Sequence, residues 1–243
     1  MKNAVISRRP GRPTKNGNDQ GTPGLSREGI IDYACTLAQN ESCTEISMVR
    51  LGRELGVAPS LIHYYVGSLD DLLSAVINRA FMERALSFPP LTGRWRQDLE
   101  TLLKLSYEIQ LRWKGVTSYI ATHNKHRLFQ RVREGENDYG LVFFDRMGKI
   151  LQRGGFSQKQ AALAYHLLML FVLAVANADV NHQQPATHRK YIMEHLGQFS
   201  KTDYGGAAFL ADAFTKIDTK TTFEQGLRLL LNGFERWLAP ADL

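Results

Sequence analysis

The stretch ISMVRLGRELGVAPSLIHYYVGSLDDLL, Ile46 to Leu73, decides the fold. Met48, Leu51 and Leu55 recur at helical spacing, and Ser47 stands where a side-chain oxygen caps the free amides of a helix start. Gly56 falls where a helix ends in a left-handed residue, a conformation glycine adopts at little cost. Val57 follows as a buried plug. Pro59 takes the first position of the next helix, where its missing N–H does no harm. Ile62, Tyr65 and Val66 turn inward, while Ser60, Leu61 and Tyr64 point the other way. The pattern predicts a helix-turn-helix whose second helix faces outward.

Charge around this stretch is uneven. The 243 residues carry a formal +6, with 44% hydrophobic and 22% charged residues, an ordinary composition for a soluble globular protein of one large or two modest domains. Residues 1–20 hold five bases against one acid, whereas residues 21–73 hold three bases against seven acids. The helix-turn-helix is thus acidic itself. Phosphate affinity must come from the arm, from a few placed side chains and from helix N-termini. Cys35 and Cys43 are too few for a disulfide scaffold and have no zinc spacing. Cys35, on the apolar side of a helix, reads as a buried thiol rather than a redox switch. No apolar run near the N-terminus resembles a signal peptide, so a cytoplasmic setting is the default expectation. The apolar run Ala161–Ala176 is short for a membrane span and contains His166, which favours a buried core helix.

Taken in order, residues 1–24 carry Gly, Pro, Asn and Arg without a hydrophobic period and read as a flexible arm. Within it RRPGRPTK, Arg8 to Lys15, is either a solvated tail or a minor-groove arm placing Arg8, Arg9, Arg12 and Lys15 on DNA. It resembles an AT-hook core with Pro10 in place of an arginine. A first helix runs from about Ser26 to Gln39 and a fourth from about Leu69 to Leu86. Pro89 and Pro90 mark a boundary, so 25–88 is expected as a helix-turn-helix domain and 89–243 as a larger helical domain that dimerises. Beyond it helices are expected over Arg94–Trp113, Val116–Phe129, Tyr139–Gln152, from Ser157 to about Val180, and over Thr222–Leu238, with one or two short helices and a loop in 183–221. No run of alternating residues has strand length, so the fold class is all-α.

Residues 25–74 resemble the tetracycline-repressor (TetR) family of bacterial transcription regulators. The likeness lies in Ile46–Ser47, Leu51, the Leu55–Gly56–Val57 turn, Ile62–His63–Tyr64–Tyr65–Val66 and Leu72–Leu73, with Gly155–Phe156 and the closing FEQGLRLLLNGF as looser matches. The resemblance implies a dimer built from the last two long helices, a separate ligand cavity and ligand-controlled release of DNA. It also implies departures. His63 replaces a common tyrosine, Leu69 a phosphate-binding lysine, and Val49 a possible arginine. The burden of DNA contact shifts to the arm, Arg50, Arg53, Ser60 and Tyr64.

The expected DNA-binding set is therefore Arg8, Arg9, Arg12, Lys15, Ser47, Arg50, Ala58, Pro59, Ser60, Leu61, His63 and Tyr64. Exposed apolar and aromatic groups suit thymine methyls and phosphates better than water, and Ser60 can donate to a base or a phosphate. His63 is open between a phosphate donor and a packed imidazole. In the C-terminal part Tyr107, Trp113, Tyr119, His123, Tyr165, His166, Met169 and Asn177 sit in otherwise apolar helices. Each requires a ligand or an internal partner, the latter being the ordinary case. His123 and His126 could share a metal by spacing, but Lys125 and Arg127 beside them favour a solvated face, and no metal or cofactor is expected. Leu227, Leu230, Leu231 and Phe234 form a stripe that is either core or dimer seam; with Leu163, Leu167 and Leu170 the seam is expected.

No phosphate loop, HExxH, nucleophile elbow or dinucleotide fingerprint occurs in the sequence, so no enzyme is expected. The expected function is a repressor that binds a palindromic operator in double-stranded DNA as a homodimer and answers to a small molecule. A helical adaptor for protein partners and an activator of the same fold are the alternatives.

Overall fold

The computed structural model describes residues 25–123 and 130–239. The arm candidates Arg8, Arg9, Arg12 and Lys15, and also His126, lie outside the described residues. Among those described there are eleven α-helices and no strand: α1 Arg27–Asn40, α2 Met48–Glu54, α3 Pro59–Val66, α4 Leu69–Leu86, α5 Trp95–Arg112, α6 Lys114–Thr122, α7 Tyr139–Arg153, α8 Gln158–Val180, α9 Arg189–Leu196, α10 Gly205–Phe214 and α11 Thr219–Leu238. The all-α class is as expected. A helix expected over Val116–Phe129 starts two residues earlier and has its C-cap at His123.

The helix starts follow from capping chemistry. Ser26 accepts from the Gly29 amide and Ser47 from the Arg50 amide; Ser68 with Asp71, and Ser157 with Gln160, form reciprocal capping boxes. Gly56 carries φ +69°, the left-handed turn that ends α2 and lets α3 start at Pro59. Val57 is half-buried beneath this turn rather than fully buried as expected.

Two hydrophobic cores result, and residues beyond Pro89 and Pro90 contribute to both. The first gathers Ile30, Ala34, Leu51, Ile62, Leu72 and Val76 from α1 to α4, but it is completed by Ile109, Trp113, Val116 and Tyr119 from α5 and α6. The unit 25–88 therefore does not close its own core. The second is built around Leu99, Leu103, Phe143, Met147, Leu168 and Val172 of α5, α7 and α8, with Phe223, Leu227, Leu231 and Phe234 of α11. Helix α8 is long and apolar enough to cross a membrane by composition. Here it is the central strut of the second core, burying Ala164, Leu168, Met169, Val172 and Ala176.

Helix α6 is bound into the first core where it meets the end of α1. A Cβ on Gly115 would lie 1.8 Å from the Glu41 carbonyl oxygen and 2.8 Å from that of Ala38, so the helices touch backbone to backbone. Gly115→Ala should force α6 away from α1 and lower stability by about 1–3 kcal/mol or more. Chemical denaturation of the purified variant measures this, and unchanged stability would show that the joint is slack.

Candidate nucleic-acid interface and effector site

Helix α3 is anchored from beneath. Ile62 is fully buried and Val66 is 7% exposed, both in the first core. The Val57 amide donates to the Gly52 carbonyl at 2.8 Å, and a Cβ on Gly52 would collide with Val57 O at 2.8 Å, so α2 and the turn are pressed together. What remains outside is the opposite face: Ala58, Pro59, Ser60 and His63 are exposed, Tyr64 is 75% exposed, and Leu61 is half-buried. The Tyr64 ring stands edge-on to Tyr65, centroids 5.4 Å apart, which limits its swing.

The chemistry of the individual groups is sharper than their positions. His63 Nδ1 lies 3.0 Å from the Gly67 carbonyl oxygen, which can only accept, so Nδ1 carries the proton. A neutral His63 then offers only an acceptor at Nε2, and it can donate to a phosphate only as imidazolium. Ser47 is occupied as the cap of α2, although its hydroxyl proton stays available.

Arg50, an expected phosphate contact, is held by its own domain. Its Nη1 and Nη2 donate to Glu41 at 2.8 and 2.7 Å, and its Nε donates to Glu54 at 2.9 Å. Tyr33 adds a hydrogen bond to Glu54 at 3.2 Å. The guanidinium lowers the pKa of both carboxylates, chiefly by these hydrogen bonds, and is itself pushed up. Arg53 contrasts with it: its side chain is 76% exposed and its contact with Glu54 is 3.9 Å. Val49 is also exposed, at 69%. At the start of α4 the Asp71 carboxylate accepts from the Ser68 amide and hydroxyl, so an acid fills the helix N-terminus that Leu69 leaves without a base.

The eight residues expected around an effector do not share one cavity. Tyr107 is buried, donates to Asp179 at 3.0 Å and stacks on Phe223 at 4.2 Å. Trp113 is buried in the first core and donates from Nε1 to Glu83 at 2.6 Å. Tyr119 is buried there too, stacked with His123, whose own side chain is exposed. Tyr165 is half-buried against Phe144, Met169 is buried in the second core, and Asn177 is bonded to Asn181 at 2.9 Å. His166 lies on the apolar helix α8 as expected, but its side chain is exposed and lines no enclosed site there. Between α4, α5, α6 and α8, where Trp113 sits, only a cavity of about 30 Å³ remains.

The seam also needs correction. Leu227, Leu231 and Phe234 are 1–2% exposed and packed in the protomer's own second core, because the stripe of α11 faces α8. Leu230 and Leu167 are half-buried, while Leu163 and Leu170 are 48% and 46% exposed. Leu229, which the stripe leaves out, is 71% exposed on α11. Sequence reasoning also missed an open cavity between α9 and α10. Its signal was the Gly205–Gly206–Ala207–Ala208 run flanked by Phe199 and Tyr204. Among the described residues no cluster of three His, Cys, Asp or Glu could hold a metal.

A short helix offered outward by a glycine-ended turn and backed by a larger helical body defines the helix-turn-helix regulators. Residues 89–238 match the family model described as tetracyclin repressor-like, C-terminal domain, and the chain belongs to the TetR family of transcriptional regulators. The HTH-type transcriptional repressor Rv1353c of Mycobacterium tuberculosis is 37% identical over 90 residues, 33% of this chain and 34% of that one. The chain thus spans about a third of the length of the first curated relatives it matches. An HTH-type transcriptional regulator of Saccharopolyspora erythraea is 24% identical over 91% of this chain and 89% of its own. Among solved structures, ActR of Streptomyces coelicolor in complex with actinorhodin superposes with TM-score 0.71 at 24% identity, covering 87% of this chain and 96% of that one. That likeness shows the fold.

The two arginines of α2 should separate in experiment. Arg53→Gln is expected to reduce the salt dependence of duplex binding by about one phosphate contact per protomer, a slope change of about 0.9 for each protomer bound. Arg50→Gln should leave that slope unchanged and lower the melting temperature instead. Glu41 and Glu54 have depressed folded pKa values, so their contribution is present above the unfolded carboxylate pKa and lost on acidification. The stability deficit of Arg50→Gln should therefore shrink below about pH 4.

Proposed function

We propose that the chain is a repressor that binds a palindromic operator as a two-fold dimer and is released by a small molecule. The observation that carries the DNA reading is Tyr64, 75% exposed beside exposed Ser60 on a helix whose other face is locked by Ile62 and Val66. An aromatic ring left in water on a rigid support is suited to a methyl group or a phosphate in the major groove. Two-fold symmetry would set two such helices into successive major grooves. The dimer reading is supported by Leu163 and Leu170 of α8 and Leu229 of α11, exposed on the two long helices of the second core. Repression agrees with the names of the mycobacterial and streptomycete relatives, and response to a small molecule with ActR having been solved with actinorhodin and with (S)-DNPA. The setting is the cytoplasm, where the duplex is.

Operator binding is tested by footprinting genomic DNA and titrating the protected duplex. Tyr64→Ala should weaken binding at least about tenfold, roughly 1.4 kcal/mol, with unchanged thermal stability, since the ring supports no core. Equal affinity would remove Tyr64 from the interface. For the dimer, sedimentation at micromolar concentration should give twice the chain mass, and Leu163→Glu with Leu170→Glu should yield a monomer, because paired carboxylates cannot be desolvated against an apolar face. A wild-type monomer would sink the two-fold reading.

A further inference from the structure

The hairpin of α9 and α10 carries an open cavity of about 630 Å³ that none of the residues expected around an effector reaches. Its volume is that of a drug-sized ligand site. Met193, Leu196, Phe199 and Tyr204 supply apolar and aromatic wall, with the Phe199 and Tyr204 rings edge-on at 5.4 Å. Ala208 and Ala211 of α10 line it with nothing larger than methyl groups, leaving room for a flat molecule to lie against the helix.

Charge on the lining decides what that molecule carries. Asp212 is neutralised twice, accepting from Arg189 at 2.8 Å and from Lys216 at 2.6 Å, and its pKa is lowered chiefly by these two hydrogen bonds. Lys201 makes no ion pair among the described residues. A lining with one satisfied acid and one uncompensated ammonium favours an anion. We propose that the α9–α10 hairpin binds a planar aromatic molecule bearing an acidic group, its rings among Phe199, Tyr204, Met193 and Leu196 and its anion on Lys201. As an effector site this rests on the regulatory reading above; as a binding site it does not.

The test uses the full chain without DNA and two naphthalene probes. One is anilinonaphthalene sulfonate, an anion; the other is the neutral N-phenyl-1-naphthylamine. Fluorescence titration should give one saturable anionic probe site per chain. Ala208→Trp, which fills the cavity, should weaken both probes at least about tenfold. Lys201→Gln should weaken the anionic probe about three- to fivefold, as expected for a charge at the rim, and leave the neutral probe unchanged. Circular dichroism melts check that each variant is folded, and Lys201→Gln carries the charge test if Ala208→Trp is not. Equal probe affinity in Ala208→Trp, or equal loss of both probes in Lys201→Gln, would overturn the proposal. So would probe binding that fades as chain concentration rises, since a second copy would then occupy the groove. Operator binding is measured separately on the same variants. Failure of the wild type to bind DNA would sink the repressor reading and leave the probe result standing.

Discussion

The contact of α6 with the end of α1 at Gly115 constrains everything above and below it. With no side chain between them, α6 can insert Val116 and Tyr119, and the α5–α6 corner Trp113, into the core beneath α3. The position of α3 is therefore set by helices of the larger domain as much as by its own neighbours. Helix α4 is gripped from two further sides. Glu83 accepts from Trp113 Nε1 and from Arg112 Nε, and these donors hold its carboxyl below the usual range although burial pushes the other way. Asn78 donates to the Asn137 carbonyl and accepts from the Tyr139 amide, tying α4 to the start of α7. Bonds from α5, α6 and α7 thus converge on α4, whose start is fixed by the capping box at Ser68 beside the turn that follows α3.

Electrostatics on the outer face follow a different logic from that of a basic patch. The acids of the helix-turn-helix are not idle: Glu41 and Glu54 hold Arg50 in place, and Asp71 caps α4. Such an arrangement stiffens the unit and removes its fixed charges from use outside. What it leaves is a rigid, weakly charged surface of Tyr64, Ser60, Pro59 and Val49, with Arg53 as the exposed base of α2. Surfaces of this kind discriminate by shape and methyl contacts more than by phosphate attraction.

Local signals were legible in the sequence and partner choice was not. Ser26, Ser47 and Ser157 were read as caps, and Gly56 as a left-handed stop, because each is decided by atoms within four residues. The stripe of α11 was equally plain, but periodicity says only that Leu227, Leu231 and Phe234 share a face, not whether that face meets α8 or another chain. The ion pair of Arg50 was hidden for the same reason: nine residues separate it from Glu41, and nothing in the spacing shows that the end of α1 returns beside α2. Gly115 gave no signal at all, since one glycine among twenty says nothing about what approaches it.

The distribution of empty space bears on how such a protein can be switched. At the domain junction Arg84 is packed against the Phe81 and Phe143 rings, 4.4 and 3.7 Å from their centroids, and Trp113 is tied to Glu83, so little room is left there. A ligand entering that place must first separate α4 from α5 and α6, and its affinity is reduced by the rarity of the opened state. The α9–α10 hairpin is already open and needs no such separation. It is also hydrogen-bonded to the second core: the Ala186 amide joins its two ends by donating to the Ile217 carbonyl, Gln184 donates to Asp179, and Asp179 accepts from Tyr107 of α5. A ligand held there would act by favouring one arrangement of these bonds over another. That requires differential affinity for the two arrangements and not tight binding alone.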